Sequence, residues 1–469
     1  MAGDTLRAVP TERQRAAREA GRAVRSRTPR RALAVTGSRD RDVVALLEAQ
    51  HATRLPELVP VRVGRMLASP FAFYRGSAAV MAADQAADPH SDLRVVACGD
   101  AHLSNFGMFA SPERRLLFDL NDFDEGGVAP WEWDLKRLAA SVHVAGRALG
   151  ISEDACREAV VATVEQYRRA LERLTRLSTT ARYYEAVDAD ELGRTVERTE
   201  NRRVVREAAR KARRRTAEQA MTRLELVGED DARRIVEQPP LLVHVPGLTP
   251  AVIADFVARY GVTLRADVAL LASQFRLVDV VRRVVGVGSV GTRCFLVALE
   301  DAGGAPLLLQ VKEAQRSVLA QFGGMPDVPP AGVRYSPHHT HGERIVAAQR
   351  ILQSASDPFL GWRRESPWDV ALESDYYVRQ FRDMKGSIDP ELLAPDQLVD
   401  YARLCASVLA RGHCQSPQAD AVRGYAGRST AVADAVATWS TTYADQVERD
   451  VAAVEAAVAA GRLPCERGA

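Results

Sequence analysis

Two stretches near residue 100 carry side chains that could hold a divalent cation. Each follows a short apolar run typical of a buried strand, residues 94–98 in one case and 116–120 in the other. Clustered carboxylates repel one another unless a cation neutralises them, and Mg²⁺ prefers hard oxygen ligands. We therefore predict a Mg²⁺ site after the second run, with Asp122 as the first candidate ligand and Asp119 and Asp124 as alternatives. We call this segment, residues 119–125, the metal loop.

A third segment, Gly286-x-Gly288-x-x-Gly291, has the glycine spacing of a phosphate-binding loop. A dinucleotide-binding loop would be followed at once by a helix, but here an apolar strand pattern, a reverse turn and a second strand pattern follow. A glycine loop between two strands of a hairpin is typical of protein-kinase-like folds, where backbone N–H groups approach phosphate oxygens. We predict that Gly286, Gly288, Ser289 and Gly291 bind the phosphates of ATP.

Lys312 comes directly after the second predicted strand of this hairpin, 307–311. The chain has only four lysines, a scarcity best explained by a GC-rich genome, so each lysine raises the question of whether arginine could replace it. An ammonium is a compact charge, and the planar fork of arginine would not replace it in a tight phosphate pocket. We predict that Lys312 binds phosphate and is held by a glutamate, either Glu343 at the start of the next helix or Glu313.

The segment Asp100-x-His102-x-x-Asn105 has the spacing of the catalytic loop in aminoglycoside- and choline-kinase-like enzymes. That resemblance implies that Asp100 accepts the proton of a substrate hydroxyl and that Asn105 binds Mg²⁺. His102 is expected to support this loop, residues 99–105, by hydrogen bonding. Asp134 could cap the following helix or, as the resemblance implies, brace the catalytic loop.

The order of these parts is reversed relative to ordinary kinases, because the carboxylates at 99–134 precede the glycine loop and lysine at 286–343. The elements predict an α+β, protein-kinase-like fold of two lobes, circularly permuted and with a large helical insertion, in which the strand 376–381 is the hinge. The predicted units are a flexible Arg-rich arm (1–40), the catalytic-loop and metal-loop part of the C-lobe (41–150), a helical insertion or substrate region (151–281), a nucleotide-binding β region (282–385) and the helical remainder of the C-lobe (386–469).

The whole layout resembles the bacterial family called domain of unknown function 2252, over residues 40 to 460. The family name implies no substrate. The resemblance rests on Ser69-Pro-Phe-Ala-Phe-Tyr-Arg-Gly76, Gly99-Asp-Ala-His-Leu-Ser-Asn-Phe-Gly107, Phe118-Asp-Leu-Asn-Asp-Phe-Asp-Glu125, Trp133-Asp-Leu-Lys-Arg-Leu138, Val285-Gly-Val-Gly-Ser-Val-Gly-Thr-Arg293, Gln310-Val-Lys-Glu-Ala314 and Tyr377-Val-Arg-Gln-Phe-Arg-Asp-Met-Lys-Gly386.

Composition narrows the classes of protein further. A net charge of +2 argues against a surface built wholly for nucleic acid. Six scattered cysteines favour reduced thiols over a disulfide framework, and no stretch has the ~18 apolar residues of a membrane span. We expect a soluble, cytoplasmic protein without a membrane partner. The basic segment 194–215 could bind nucleic acid, but acidic residues follow it, so a solvated helix face is the favoured interpretation.

The sequence therefore predicts an ATP- and Mg²⁺-dependent phosphotransferase that acts on a hydroxyl of an unidentified small molecule or protein. Two alternatives stay open: transfer of AMP by the same pocket, and a nucleotide-binding scaffold without catalysis. No motif indicates the acceptor or the oligomeric state.

Overall fold

Helices and small antiparallel sheets alternate along the chain in this computed structural model, so the predicted α+β class is confirmed. Within the described residues, no helix combines the length and the apolar character that crossing a membrane requires. The structure describes residues 9–195, 199–224, 226–227, 233–248, 250–284, 286–336, 339–363, 374–381 and 383–468.

The largest sheet surrounds the glycine loop. Its strand order is Leu242–Val243, Arg276–Arg283, Cys294–Glu300, Pro306–Ala314, Asp375–Gln380 and Gly361–Arg363, each neighbour antiparallel. Residues 276–281 of the strand Arg276–Arg283 belong to the predicted helical insertion, and the helix prediction is wrong there. Val280 and Val281 pack into different apolar clusters on the two faces of the sheet. A strand buried on both faces lacks the alternation that separates strand from helix in a short apolar run.

Two smaller sheets hold the acidic segments. Arg94–Ala97 pairs with Gly127–Pro130 in one of them. The other sheet has the strand order Gly386–Ser387, Phe106–Ala110, Leu116–Leu120 and Val187–Asp188. The catalytic loop crosses from the first sheet to the second, and the metal loop returns from the second to the first. Both loops therefore lie at the same junction between two sheets.

A helical body packs behind these sheets around Trp131–Ala148, which is buried along most of its length. This helix contacts Glu153–Leu174, Pro395–His413 and Ala431–Ala459. Further helices are Val43–His51, Val59–Met66, Pro70–Gly76, Ala78–Ala87, Thr179–Tyr183, Ala189–Thr195, Thr199–Arg213, Ala217–Arg223, Pro250–Gly261, Ala266–Ala272, Val318–Gln321, His341–Leu352 and Ala419–Ala426, with short 3-10 turns at Arg30–Ala34, Pro56–Leu58, Leu103–Asn105 and Pro390–Leu392.

The N-terminal segment differs from the flexible arm that its composition predicts. Glu12–Val24 is a helix with a capping box, and it packs along Ala419–Ala426. Arg18 makes an ion pair of 2.8 Å with Asp420. An Arg-rich composition predicts a segment exposed to solvent, because the sequence does not show which carboxylates its arginines meet. In the structure, an arginine of this segment attaches the helix to Ala419–Ala426. Residues 1–8 of the predicted arm lie outside the described residues.

Candidate active site

Asp134, on helix Trp131–Ala148, fixes the start of the catalytic loop. Its carboxylate accepts hydrogen bonds from the backbone N–H groups of Cys98 at 2.6 Å and Gly99 at 2.9 Å. The same carboxylate lies 3.2 Å from Nε2 of His413. Gly99 has a φ of +79°, a left-handed conformation that favours glycine. Asp134 therefore braces the loop, as the resemblance implies, and does not cap its own helix.

Asp100 follows this brace and is held by an arginine from the same helix. Nε and Nη2 of Arg137 both lie 2.8 Å from Oδ1 of Asp100. Arg137 is itself fixed, because its guanidinium lies 4.0 Å from the ring centre of Tyr74 and donates to the Tyr74 carbonyl at 2.7 Å. Burial raises the pKa of Asp100 against the opposing charge of Arg137. Arg137 therefore fixes the orientation of the Asp100 carboxylate, and burial increases the affinity of this carboxylate for a proton.

Asn105 and His102 complete the catalytic loop. Nδ2 of Asn105 donates to the carbonyl of Asp100 at 2.6 Å, which leaves the Asn105 side-chain oxygen as an acceptor. The backbone N–H of His102 donates to the same carbonyl at 2.9 Å. Burial and the charges of Arg137 and Arg75 hold the pKa of His102 well below its ordinary range, so the ring is neutral. Its Nδ1 is buried and has no hydrogen-bond partner.

The metal loop contains three candidate ligands, and the structure separates two that line a cavity from one that does not. Asp122 and Asp124 line the same cavity as Asp100, whereas Asp119 is not among its lining residues. Asp119 is 2% exposed, and one of its oxygens accepts a hydrogen bond from the Ser354 backbone N–H at 2.8 Å. Asp119 therefore anchors the loop at Ser354, and of the three candidates Asp122 and Asp124 line the cavity.

Lys312 reaches the metal loop from the large sheet. Its ammonium contacts Oδ2 of Asp124, and the Tyr377 hydroxyl donates to Oδ1 of the same carboxylate at 2.7 Å. Although burial opposes it, the charge of Asp124 raises the pKa of Lys312 above its ordinary range. The lysine is therefore fully charged and is anchored to the metal loop.

Neither glutamate predicted to hold Lys312 does so within the described part of the chain. Glu343 accepts hydrogen bonds from the backbone N–H of Ser336 at 3.0 Å and from its hydroxyl at 2.7 Å. Glu313 pairs with Arg293 at 3.1 Å. Adjacent residues of a strand point to opposite faces of the sheet, so Glu313 cannot share the direction of Lys312.

The glycine loop is held by three arginines that sequence reasoning missed. Arg62 is completely buried and donates hydrogen bonds to the carbonyls of Val287 and Gly288. Arg65 donates to the Gly286 carbonyl at 2.9 Å, and Arg54 donates to the Val290 carbonyl at 2.5 Å. These arginines lie at 54–65, in the other half of the predicted permuted fold. In an Arg-rich chain, no sequence signal distinguishes them from surface arginines.

One cavity joins the two halves of the predicted site, and we call it the catalytic cavity. Its lining includes Asp100, His102, Asn105, Asp122, Asp124, Gly286, Gly288 and Ser289. Lys312 lines an adjoining cavity that shares Asp122, Gly286 and Ser289 with the first. Three predicted site residues line neither of these cavities: Asp119, Gly291 and Glu343.

The residues of the catalytic cavity fit a Mg²⁺ ion bound together with phosphates. Although burial opposes it, the charges of Lys312, Arg379 and Lys385 hold the pKa of Asp122 below its ordinary value, so this carboxylate is ionised. In the described residues, no three His, Cys, Asp or Glu side chains are grouped as a complete metal site. Mg²⁺ ordinarily takes one or two carboxylates and completes its shell with phosphates and water. Asp122 and the oxygen of Asn105 match that smaller requirement.

Two residues of the segment 69–76 have separate roles at this site. Tyr74 is completely buried beneath Arg137 and donates its hydroxyl to the Arg137 carbonyl at 2.7 Å, so it packs between elements. Arg75 lines the catalytic cavity, and its Nε is buried without a hydrogen-bond partner. The guanidinium of Arg75 is therefore available to a ligand beside Asp100.

Comparison with known proteins gives a family and no closer relative. The family described as uncharacterized protein conserved in bacteria (domain of unknown function 2252) matches residues 54–457. No curated protein matches the chain, and no solved structure does. The matched segment contains the catalytic loop, the metal loop, the glycine loop and Lys312, together with the arginines that hold the glycine loop. The chain belongs to the bacterial family of domain of unknown function 2252.

Proposed function

We propose that the protein is an ATP- and Mg²⁺-dependent phosphotransferase with a circularly permuted, protein-kinase-like fold. The observation that carries the proposal is the contact of Lys312 with Asp124 beside a cavity lined by Asp100 and Asp122. A phosphate-binding lysine, a metal-binding carboxylate and a carboxylate that accepts a proton are the parts that phosphoryl transfer requires.

The architecture supports this fold assignment. The glycine loop connects two antiparallel strands of a sheet, as in the nucleotide-binding lobe of kinases, and the helix His341–Leu352 packs on that sheet. The catalytic and metal loops lie at the junction of two smaller sheets, backed by helices. The two groups of elements occur in reverse order along the chain, which a circular permutation explains without changing the arrangement in space.

Each polar group has a role in this proposal. The glycine loop and Lys312 bind the phosphates of ATP. Asp122 and Asn105 would hold Mg²⁺, which neutralises phosphate charge when it is bound. Asp100, oriented by Arg137, receives the acceptor hydroxyl and accepts its proton as the oxygen attacks the γ-phosphorus of ATP. The bond between that phosphorus and the bridging oxygen breaks, and ADP leaves.

The test is ATP consumption by the purified full chain with Mg²⁺ and panels of alcohol, amino-sugar and protein acceptors. We expect turnover with one acceptor class and a loss of at least about 100-fold in Asp122→Asn, because the metal-binding charge is removed. Asp40→Asn, on the exposed surface, is the matched control and should keep full activity. The mass of the modified acceptor distinguishes phosphoryl transfer from AMP transfer. Equal activity of Asp122→Asn and the unmodified protein would contradict the proposal.

A further inference from the structure

The cavity that adjoins the catalytic cavity is strongly positive, and we call it the cationic cavity. It lies beside the glycine loop, between the large sheet and the strand Gly386–Ser387. Asp122 is the only carboxylate among the described residues that line it. The cationic side chains of the lining are Arg215, Arg283, Lys312, Arg379 and Lys385.

Four of these cations lack a carboxylate partner. Lys312 contacts Asp124, but no ion pair within the described residues involves the others. Arg379 donates instead to the side-chain oxygen of Gln310 at 2.9 Å. Arg283 lies 4.6 Å from the ring centre of Phe381. Arg283, Arg379 and Lys385 are half-buried, and cations removed from water are ordinarily paired, so three of them in a single cavity indicate a missing anion. Arg215, which is exposed, adds a fourth positive charge to the lining.

Arg215 and Lys385 are in contact in the lining of this cavity. Nη1 of Arg215 donates to the Lys385 carbonyl at 3.3 Å. The charge of Arg379 and burial lower the pKa of Lys385 to about 7, so the ammonium is held at an energetic cost. An anion bound beside it would remove that cost.

Two further carboxylates, which line a neighbouring cavity together with Arg379 and Lys385, are already engaged. Asp383 pairs with Arg114 at 2.7 Å. Asp357 accepts hydrogen bonds from the backbone N–H groups of Phe359 at 2.8 Å and Gln380 at 2.5 Å. These two side chains are therefore not free to balance the charge of Lys385. Asp122 is one carboxylate against the several cations of this cavity, and a bound anion would supply the balance.

We propose that Arg215, Arg283, Arg379 and Lys385 form a subsite for phosphate groups of the substrate, beyond the phosphate bound at Lys312. The ligand class is a polyphosphate or a substrate with an additional phosphate. The charged side chains that line the cavity favour such an anion over an uncharged purine ring, which would need an apolar slot. The subsite rests on the proposed function, because it extends the cleft in which the transferred phosphate lies.

The test is isothermal titration of the full chain with inorganic tripolyphosphate, inorganic phosphate, ATP and adenosine, each at two salt concentrations. We expect tripolyphosphate to bind and adenosine not to bind. The double variant Arg215→Gln/Lys385→Met should weaken tripolyphosphate binding by about tenfold or more, because two charged contacts are lost. Lys211→Met removes an exposed lysine outside the cavity and is the matched control, expected to leave binding unchanged.

The sources of phosphate are separated by the same titrations. If the double variant weakens ATP binding as much as tripolyphosphate binding, the subsite serves the nucleotide. If it weakens tripolyphosphate binding and leaves ATP binding unchanged, the subsite serves phosphate groups of the acceptor. Absence of tripolyphosphate binding, or equal binding by the double variant and Lys211→Met, overturns the subsite. Turnover of ATP that persists in that case leaves the proposed function standing. Tripolyphosphate binding without turnover on any acceptor supports the subsite and contradicts the transferase.

Discussion

Lys312 and Asp124 stand 188 positions apart in the chain, and their side chains are in contact. Lys312 belongs to the strand Pro306–Ala314 of the large sheet, whereas Asp124 belongs to the metal loop between two smaller sheets. The lysine is 2% exposed and the aspartate 24% exposed, so solvent screens the pair only partly. This contact therefore joins the two parts of the predicted site.

The first prediction concerns the stability of this pair. Lys312→Met should lower the free energy of unfolding by about 3 kcal/mol, because it leaves a largely buried carboxylate without its cation. Adding Asp124→Asn should restore part of the loss, since the two groups act as one pair. Urea unfolding of the single variants, the double variant and the unmodified protein measures the coupling. Strictly additive effects would mean that the contact contributes nothing to stability.

Much of this site could be predicted from spacing, because its parts are local in sequence. Asp100, Asn105 and Asp122 lie in short loops between strands, so the strand pattern places them. The partner of Lys312 could not be predicted in this way. Glu343 and its neighbour Arg344 begin the same helix, and it is Arg344 that donates to the Asp124 carbonyl at 2.9 Å. Which of two adjacent helical residues faces the loop depends on how the helix is rotated in the fold.

The second prediction concerns the brace beneath the catalytic loop. Asp134→Ala should destabilise the protein by about 3 kcal/mol, because two backbone N–H groups and His413 lose a buried acceptor. Asp134→Asn keeps one acceptor oxygen and should cost less. Thermal and urea unfolding of both variants check this order. Equal stability of Asp134→Ala and the unmodified protein would show that the loop holds its own conformation.

The third prediction concerns the arginines that hold the glycine loop. Arg62→Met should speed amide hydrogen exchange across residues 286–291, because the loop loses the bonds to its Val287 and Gly288 carbonyls. Arg65→Met removes the hydrogen bond to the Gly286 carbonyl, which is more exposed to solvent, and should therefore have a smaller effect. Hydrogen exchange followed by mass spectrometry measures both. Unchanged exchange in Arg62→Met would contradict a holding role.

The fourth prediction concerns Lys136, which is buried 3.7 Å from Asp88 and 4.6 Å from the ring centre of Trp439. Burial lowers its pKa to about 8 from 10.5. Between these values the unfolded chain binds more protons at this group than the folded chain does, so its contribution to stability rises with pH. Relative to Lys136→Met, the unmodified protein should gain up to about 3 kcal/mol between pH 7.5 and 10.5.

Urea unfolding of both proteins across that range measures the difference, and groups that titrate in both cancel from it. A difference that stays constant with pH would show that Lys136 keeps its ordinary pKa in the folded protein.

The fifth prediction separates the proposed proton acceptor from the residue that positions it. Asp100→Asn should lower kcat by about 10²–10⁴-fold and leave the KM for ATP nearly unchanged, because Asp100 acts on the acceptor hydroxyl. Arg137→Met should instead shift the acid limb of the kcat profile to higher pH, because the arginine charge opposes the rise in the pKa of Asp100. Initial rates from pH 5 to 9 distinguish the two effects. A profile of Arg137→Met that falls in height without moving along the pH axis would assign the arginine to structural support alone.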